Sequence, residues 1–132
     1  MPRILVIDDD ENVQDILSRV LTKRGYEVLI ANNGAEGIHR FRQQASQEQP
    51  ADLVVTDLLM PEKEGLETIL ELRREFPDVK IIVISGGGGF GEPGNMLHAA
   101  RKLGASYSFQ KPIPREDFLA AVQTLVGPAD QG

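Results

Sequence analysis

With 132 residues, 41% of them hydrophobic and 26% charged, the chain has material for one compact domain with its own core, and not for two. A formal net charge of −6 without any basic stripe argues against direct binding to nucleic acid phosphates. The chain has no cysteine, which excludes disulfide and thiolate chemistry, and no apolar run approaches the roughly 18 residues that a membrane helix needs.

In chain order, Met1-Pro2-Arg3 leads directly into an apolar run, Ile4–Ile7, that stops at acidic residues. This is a strand and not a signal peptide; with the lack of cysteine it leads to the expectation of a cytoplasmic protein. Val13, Ile16, Leu17, Val20 and Leu21 follow at helical spacing on one face, and Gly25 stops that helix. Val28–Ala31 reads as a second strand, and Ala35 to about Gln43 as a second helix. The polar stretch Ala45–Pro50 reads as a loop. Leu53–Thr56 is a third strand, followed by a helix carrying Leu66, Ile69, Leu70 and Phe76, with Pro77 just beyond. Ile81–Ile84 is a fourth strand. A fourth helix sets Met96, Ala99, Ala100 and Leu103 together before Gly104. Tyr107–Phe109 is the fifth strand, and a last helix gathers Phe118, Val122, Leu125 and Val126 before Gly127-Pro128. Five strands alternating with five helices predict an α/β domain, a parallel sheet covered on both faces. Residues 1–126 are expected to form it, with 127–132 a flexible tail.

In an open parallel sheet, ligands sit beyond the carboxyl ends of the strands. Strand one ends in Asp8-Asp9-Asp10, strand three in Asp57, strand four in Ser85, and strand five runs into Lys111-Pro112. Carboxylates, a hydroxyl and an ammonium should therefore meet at one edge. Clustered carboxylates repel unless a cation intervenes. Magnesium takes one or two carboxylates and keeps other positions open. Lys111 can pair with one phosphoryl oxygen and Ser85 can donate to another. Asp57 is then the nucleophile, since carboxylates form acyl phosphates.

The pieces Ile4-Leu5-Val6-Ile7-Asp8-Asp9, Val54-Val55-Thr56-Asp57-Leu58-Leu59-Met60-Pro61 with Gly65, Ile82-Val83-Ile84-Ser85-Gly86, and Gly104-Ala105 with Lys111-Pro112 resemble the receiver domains of two-component signalling. The resemblance spans about Arg3 to Val126. It implies a doubly wound, flavodoxin-like (βα)5 fold with strand order 2-1-3-4-5. It implies that Asp57 is the phosphoacceptor, that Asp9 binds Mg2+ directly with Asp8 acting mainly through water, and that Asp57 and the Leu59 carbonyl complete the metal's protein ligands. It further implies Ser85 as the switch hydroxyl, Lys111 as the partner of the phosphoryl group, and a cis Lys111–Pro112 bond. The expected partners are a sensor histidine kinase or histidine phosphotransfer protein, and a downstream effector or output domain.

Two departures from the family pattern carry expectations of their own. Ser108 stands where the family commonly has a switch aromatic, and the alternation of side chains along a strand puts Tyr107 and Phe109 on the opposite face. Leu59 stands where many members carry a polar residue near the attacking water, so slow self-dephosphorylation is expected; a phosphoryl lifetime shorter in the wild type than in Leu59→Asn would contradict this. The glycine cluster Gly86–Gly89, with Gly91 and Gly94, is expected to order when Ser85 turns toward the phosphoryl group; unchanged amide exchange there on adding a phosphoryl mimic would count against it.

Simpler readings stand beside these. An acidic residue at the start of the first helix can serve as its cap, and Asp10 is the candidate. His39 and His98 lack metal-ligand spacing and read as ordinary helix residues. Gly89-Phe90-Gly91-Glu92-Pro93-Gly94 formally matches a dinucleotide fingerprint, but it does not follow its strand directly and lacks the acidic residue about 20 positions on. An aspartyl-phosphate-type phosphohydrolase is the alternative function. That class carries its nucleophile on strand one, whereas Asp57 follows strand three. The leading expectation is a signalling module that catalyses only its own phosphorylation and dephosphorylation, and not a turnover enzyme.

Overall fold

The computed structural model describes residues 2–57, 65–85, 102 and 104–128. The predicted fourth helix, the glycine cluster, Leu59 and residues 129–132 lie outside this set, apart from Lys102 and Gly104 near that helix's end. The elements are β1 (Arg3–Ile7), α1 (Glu11–Lys23), β2 (Glu27–Ala31), α2 (Gly34–Ser46), β3 (Leu53–Asp57), α3 (Gly65–Glu75), β4 (Ile81–Ser85), β5 (Tyr107–Gln110) and α4 (Arg115–Val126). Here α4 is the helix predicted as the last in the sequence. The strands form one parallel sheet in the order β2-β1-β3-β4-β5, as the resemblance implies. None of the described helices is long and apolar enough to cross a membrane.

Every residue of β3 and β4 is buried, which is why these segments read as unbroken apolar runs. Alternate side chains then feed two separate cores. Leu5, Ile7, Val54, Ile81 and Val83 pack under Ile38 and Phe41 of α2 and Ile69 and Leu72 of α3. On the other face, Ile4, Val6, Val55, Ile82 and Ile84 pack under Leu17 and Leu21 of α1 and Phe118 and Val122 of α4.

The helix ends follow local chemistry. Asp10 caps α1 by accepting a hydrogen bond from the Asn12 N–H, as expected, and Asn33 caps α2 by accepting from the Glu36 N–H. After α1 the N–H groups of Arg24 and Gly25 donate to the carbonyls of Leu21 and Thr22, and Gly25 adopts φ 94°.

Two expectations need correction. Helix α2 runs from Gly34 to Ser46, so Ala45 and Ser46 are helical and not loop. The Asn33 cap starts the helix early, and the polar outer residues continue it until Glu48 takes φ 59°. Ile16 is 58% exposed, although helical spacing assigned it to the apolar face of α1, and Leu70, one of the apolar residues of α3, is 39% exposed. Each sits about 100° around its helix from a buried neighbour, Leu17 or Ile69, and so falls off the stripe that meets the sheet.

Candidate functional site

Parallel register brings the acidic strand ends together. Asp57 is the last residue of β3 and lies opposite Ile84 of β4, one position before Ser85. Asp8 directly follows β1, where its N–H donates to the Ala31 carbonyl. Asp8 is 1% exposed, Asp57 4% exposed and Ser85 buried, while Asp9 is exposed. Carboxylate oxygens of Asp8, Asp9 and Asp57 all lie within 4.8 Å of one another.

Lys111 reaches this cluster from the segment after β5. Its ammonium donates to Asp57 Oδ2 at 2.9 Å and lies 3.5 Å from Asp8 Oδ2. Its backbone N–H donates to the Ser85 carbonyl at 2.8 Å, so one residue ties β4 to the acidic pair. The Lys111–Pro112 bond is cis.

Asp8 is held tightly but incompletely. Its Oδ1 accepts from the Asp10 N–H at 2.9 Å. Its Oδ2 is buried without a hydrogen-bond partner among the described residues. Burial above all pushes the Asp8 carboxyl up to about 6. The charges of Asp57 and Asp9 add to this, while the Asp10 N–H and the Lys111 ammonium oppose it. For Lys111, burial works against the charge, but the hydrogen bond and charge of Asp57, with the charge of Asp8, hold its pKa above the ordinary value.

The donors are three carboxylates, and one buried oxygen among them, Asp8 Oδ2, accepts no hydrogen bond among the described residues and has the Lys111 ammonium 3.5 Å away. A hard divalent cation fits that oxygen-only set. Of the residues singled out in the sequence, the structure gathers Asp8, Asp9, Asp57, Ser85 and Lys111 at one sheet edge. Leu59 lies outside the described residues. His39 is exposed on α2, and His98 is not described.

Ser108 pairs in register with Val83, on the sheet face under α2 and α3. Tyr107 and Phe109 pack on the α1 and α4 face, and Phe109 meets Phe118 edge-on with ring centroids 6.0 Å apart. The predicted alternation is therefore observed.

Sequence reasoning missed Gln14. From the first turns of α1 its side-chain NH2 donates to the Asp8 carbonyl at 2.6 Å and to Asn32 Oδ1 at 2.9 Å. A glutamine on a helix gives no local signal of such a role. A separate groove of about 840 Å3 opens at the amino ends of the strands, lined by Pro2, Phe41, Phe76 and Val126 among others; it contains none of these site residues.

The chain matches the response regulator receiver domain family over residues 4–123. It is 34% identical over 124 residues to response regulator MprA of Mycobacterium leprae, a match covering 94% of this chain and 50% of that protein. It thus spans about half the length of this relative. A response regulator receiver domain protein from Clostridium thermocellum superposes with a TM-score of 0.82 at 28% identity, covering 96% of this chain and 94% of that one. Response regulator protein TrrA from Thermotoga maritima, solved in complex with Mg(2+)-BeF, superposes with a TM-score of 0.76 at 30% identity, covering 96% of this chain and all of that one. With its five-stranded 2-1-3-4-5 sheet, its acidic cluster and a family match over nearly its whole length, the chain belongs to the response regulator receiver domain family.

Proposed function

We propose that this domain accepts a phosphoryl group on Asp57 from a phosphohistidine of a sensor kinase or phosphotransfer protein. The observation that carries this reading is the contact of the Lys111 ammonium with Asp57 Oδ2 at 2.9 Å, inside a cluster of three carboxylates. In the transfer, a carboxylate oxygen of Asp57 bonds to phosphorus as the nitrogen–phosphorus bond of the donor breaks. Asp57 is held at the end of a fully buried strand, so it presents that oxygen in a fixed direction. Lys111 neutralises charge at Asp57 before the reaction and pairs with a phosphoryl oxygen after it. The Ser85 hydroxyl donates to another.

Mg2+, when held by Asp8, Asp9, Asp57 and the Leu59 carbonyl, supplies the remaining charge neutralisation; the crystal structure of TrrA with Mg(2+)-BeF supports this assignment. Phosphorylation adds roughly −1.5 to −2 charges where carboxylates already repel. Redirection of Ser85 and Lys111 toward the phosphoryl oxygens is the switch that an effector or output domain reads; Ser108 occupies the β5 switch position without the family's aromatic ring, so the coupling runs chiefly through Ser85. The domain undergoes this chemistry itself and is not a turnover enzyme. A cytoplasmic setting suits such a module.

Intact mass after incubation with Mg2+ and a small phosphodonor tests the reading. One added phosphoryl group on the wild type, and none on Asp57→Asn, is the expected result. Modification of both would identify another nucleophile. Modification of neither, with Mg2+ binding confirmed, would leave a domain that acts by binding alone.

A further inference from the structure

Beside its 3.5 Å approach to the Lys111 ammonium, Asp8 is fixed by three hydrogen bonds. Its N–H donates to Ala31 of β2, its Oδ1 accepts from the Asp10 N–H, and its carbonyl accepts from Gln14. Of these three hydrogen bonds, only the last is donated by a side chain. At 2.6 Å it is a short contact, and the same NH2 also holds Asn32 Oδ1. Asn32 in turn donates to Glu36 Oε2 at 3.3 Å, and Glu36 pairs with Arg40. The next residue, Asn33, caps α2. Gln14 therefore spans three segments: the acidic β1–α1 loop, helix α1 and the β2–α2 loop.

The geometry points to Gln14 as a positioning residue for the acidic cluster. The peptide between Asp8 and Asp9 carries the carbonyl that Gln14 holds. Rotation of that peptide swings the exposed Asp9 carboxylate relative to the buried Asp8 oxygen. By fixing the carbonyl, Gln14 fixes the relative placement of two of the three carboxylates. It touches neither phosphorus nor Asp57, so it acts through the loop. This assignment rests on the proposed reading of the cluster as a Mg2+-dependent phosphoryl-accepting site.

Side chains that orient metal ligands typically contribute ten-fold or more to affinity. The test compares wild type, Gln14→Met and Asn32→Ala, and the double variant. Methionine keeps the length and helix preference of glutamine but has no donor. Each protein is titrated with Mg2+ by calorimetry, and thermal midpoints are read with and without Mg2+. Gln14→Met is expected to weaken Mg2+ binding roughly ten-fold. Asn32→Ala should weaken it less, and should add little in the Gln14→Met background because both act through one hydrogen-bonded unit. A Gln14→Met protein with a lowered metal-free midpoint but unchanged Mg2+ affinity would show a purely structural role and overturn the inference, while leaving the function standing. Absence of Mg2+ binding by the wild type would instead overturn the functional reading, and this inference with it. Gln14→Lys, which restores a donor to the Asp8 carbonyl, should keep the metal-free midpoint close to wild type.

Discussion

The Lys111 ammonium lies 2.9 Å from Asp57 Oδ2, so the chain's own cation already neutralises the carboxylate proposed to accept the phosphoryl group. The same ammonium is 3.5 Å from Asp8 Oδ2. Removing it leaves two buried carboxylates facing each other. For Lys111→Met, stability at pH 7 without metal should fall by about 1–2 kcal/mol. That is less than the roughly 3–5 kcal/mol of a fully buried pair, because Lys111 is 23% exposed and Asp8 can take up a proton. The loss should shrink at pH 5, where Asp8 is largely protonated. Urea unfolding at both pH values checks this, and an equal loss at the two would contradict the electrostatic account.

Gly37 packs α2 directly onto Ile7 of β1. A Cβ at Gly37 would stand 2.3 Å from Ile7 Cδ1 and 2.7 Å from its Cγ1, and Ile7 is fully buried. Alanine would otherwise favour the helix by about 1 kcal/mol. Overpacking of roughly 1–3 kcal/mol opposes that gain. Gly37→Ala should therefore lose about 1 kcal/mol, seen as a midpoint lower by about 3–6 °C. Ile7→Val removes the Cδ1 atom. Cγ1 at 2.7 Å remains, so in that background the same substitution should still cost something but less than in the wild type, and full additivity of the two would refute the clash.

The Tyr26 hydroxyl donates to the Gly127 carbonyl at 2.8 Å, joining the turn after α1 to the residue that closes α4. Tyr26 is buried, so Tyr26→Phe removes one shielded hydrogen bond without opening a cavity. The expected loss is about 1 kcal/mol. Amide exchange should speed up most at the end of α4, where the Gly127 N–H donates to Gln123. Acceleration spread evenly over the sheet would point to a global effect instead.

The site was legible where function and topology coincide. Asp8, Asp57 and Ser85 stand at or next to the ends of apolar runs, and a parallel sheet must bring such ends to one edge. Asp10 was readable as a cap, and Ser108 as facing away from Tyr107 and Phe109, because both rest on local geometry. Ile16 was misplaced because helical spacing tolerates an error of one residue, whereas the sheet that meets the helix does not. Gln14 escaped because its contacts depend on where Asn32 of the β2–α2 loop arrives, 18 positions along the chain. Arg3 escaped for a similar reason: it donates to Gln44, to the Gln49 carbonyl and to Glu27, all distant in sequence.

Burial sets the pH response of the site. The Asp8 carboxyl is raised from 3.8 to about 6, chiefly by desolvation. Between those values the folded chain holds a proton that the unfolded chain has lost. The stabilisation this proton gives is fully present below about pH 4 and disappears as pH rises through about 6. Without metal, acidification from pH 7 to 5 should therefore strengthen the Asp8 contribution to folding, by on the order of 1 kcal/mol. Asp8→Asn should be more stable than wild type at pH 7, and should lose that advantage toward pH 4. Mg2+ would reverse the preference, because a cation held at this cluster, directly or through water, favours the ionised form of Asp8. Its affinity should drop roughly ten-fold from pH 7 to pH 5, as the ionised fraction of Asp8 falls. Calorimetric titrations at the two pH values, run beside thermal midpoints for wild type and Asp8→Asn, measure both effects. A pH-independent Mg2+ affinity would show that the buried Asp8 carboxylate takes no part in holding the metal.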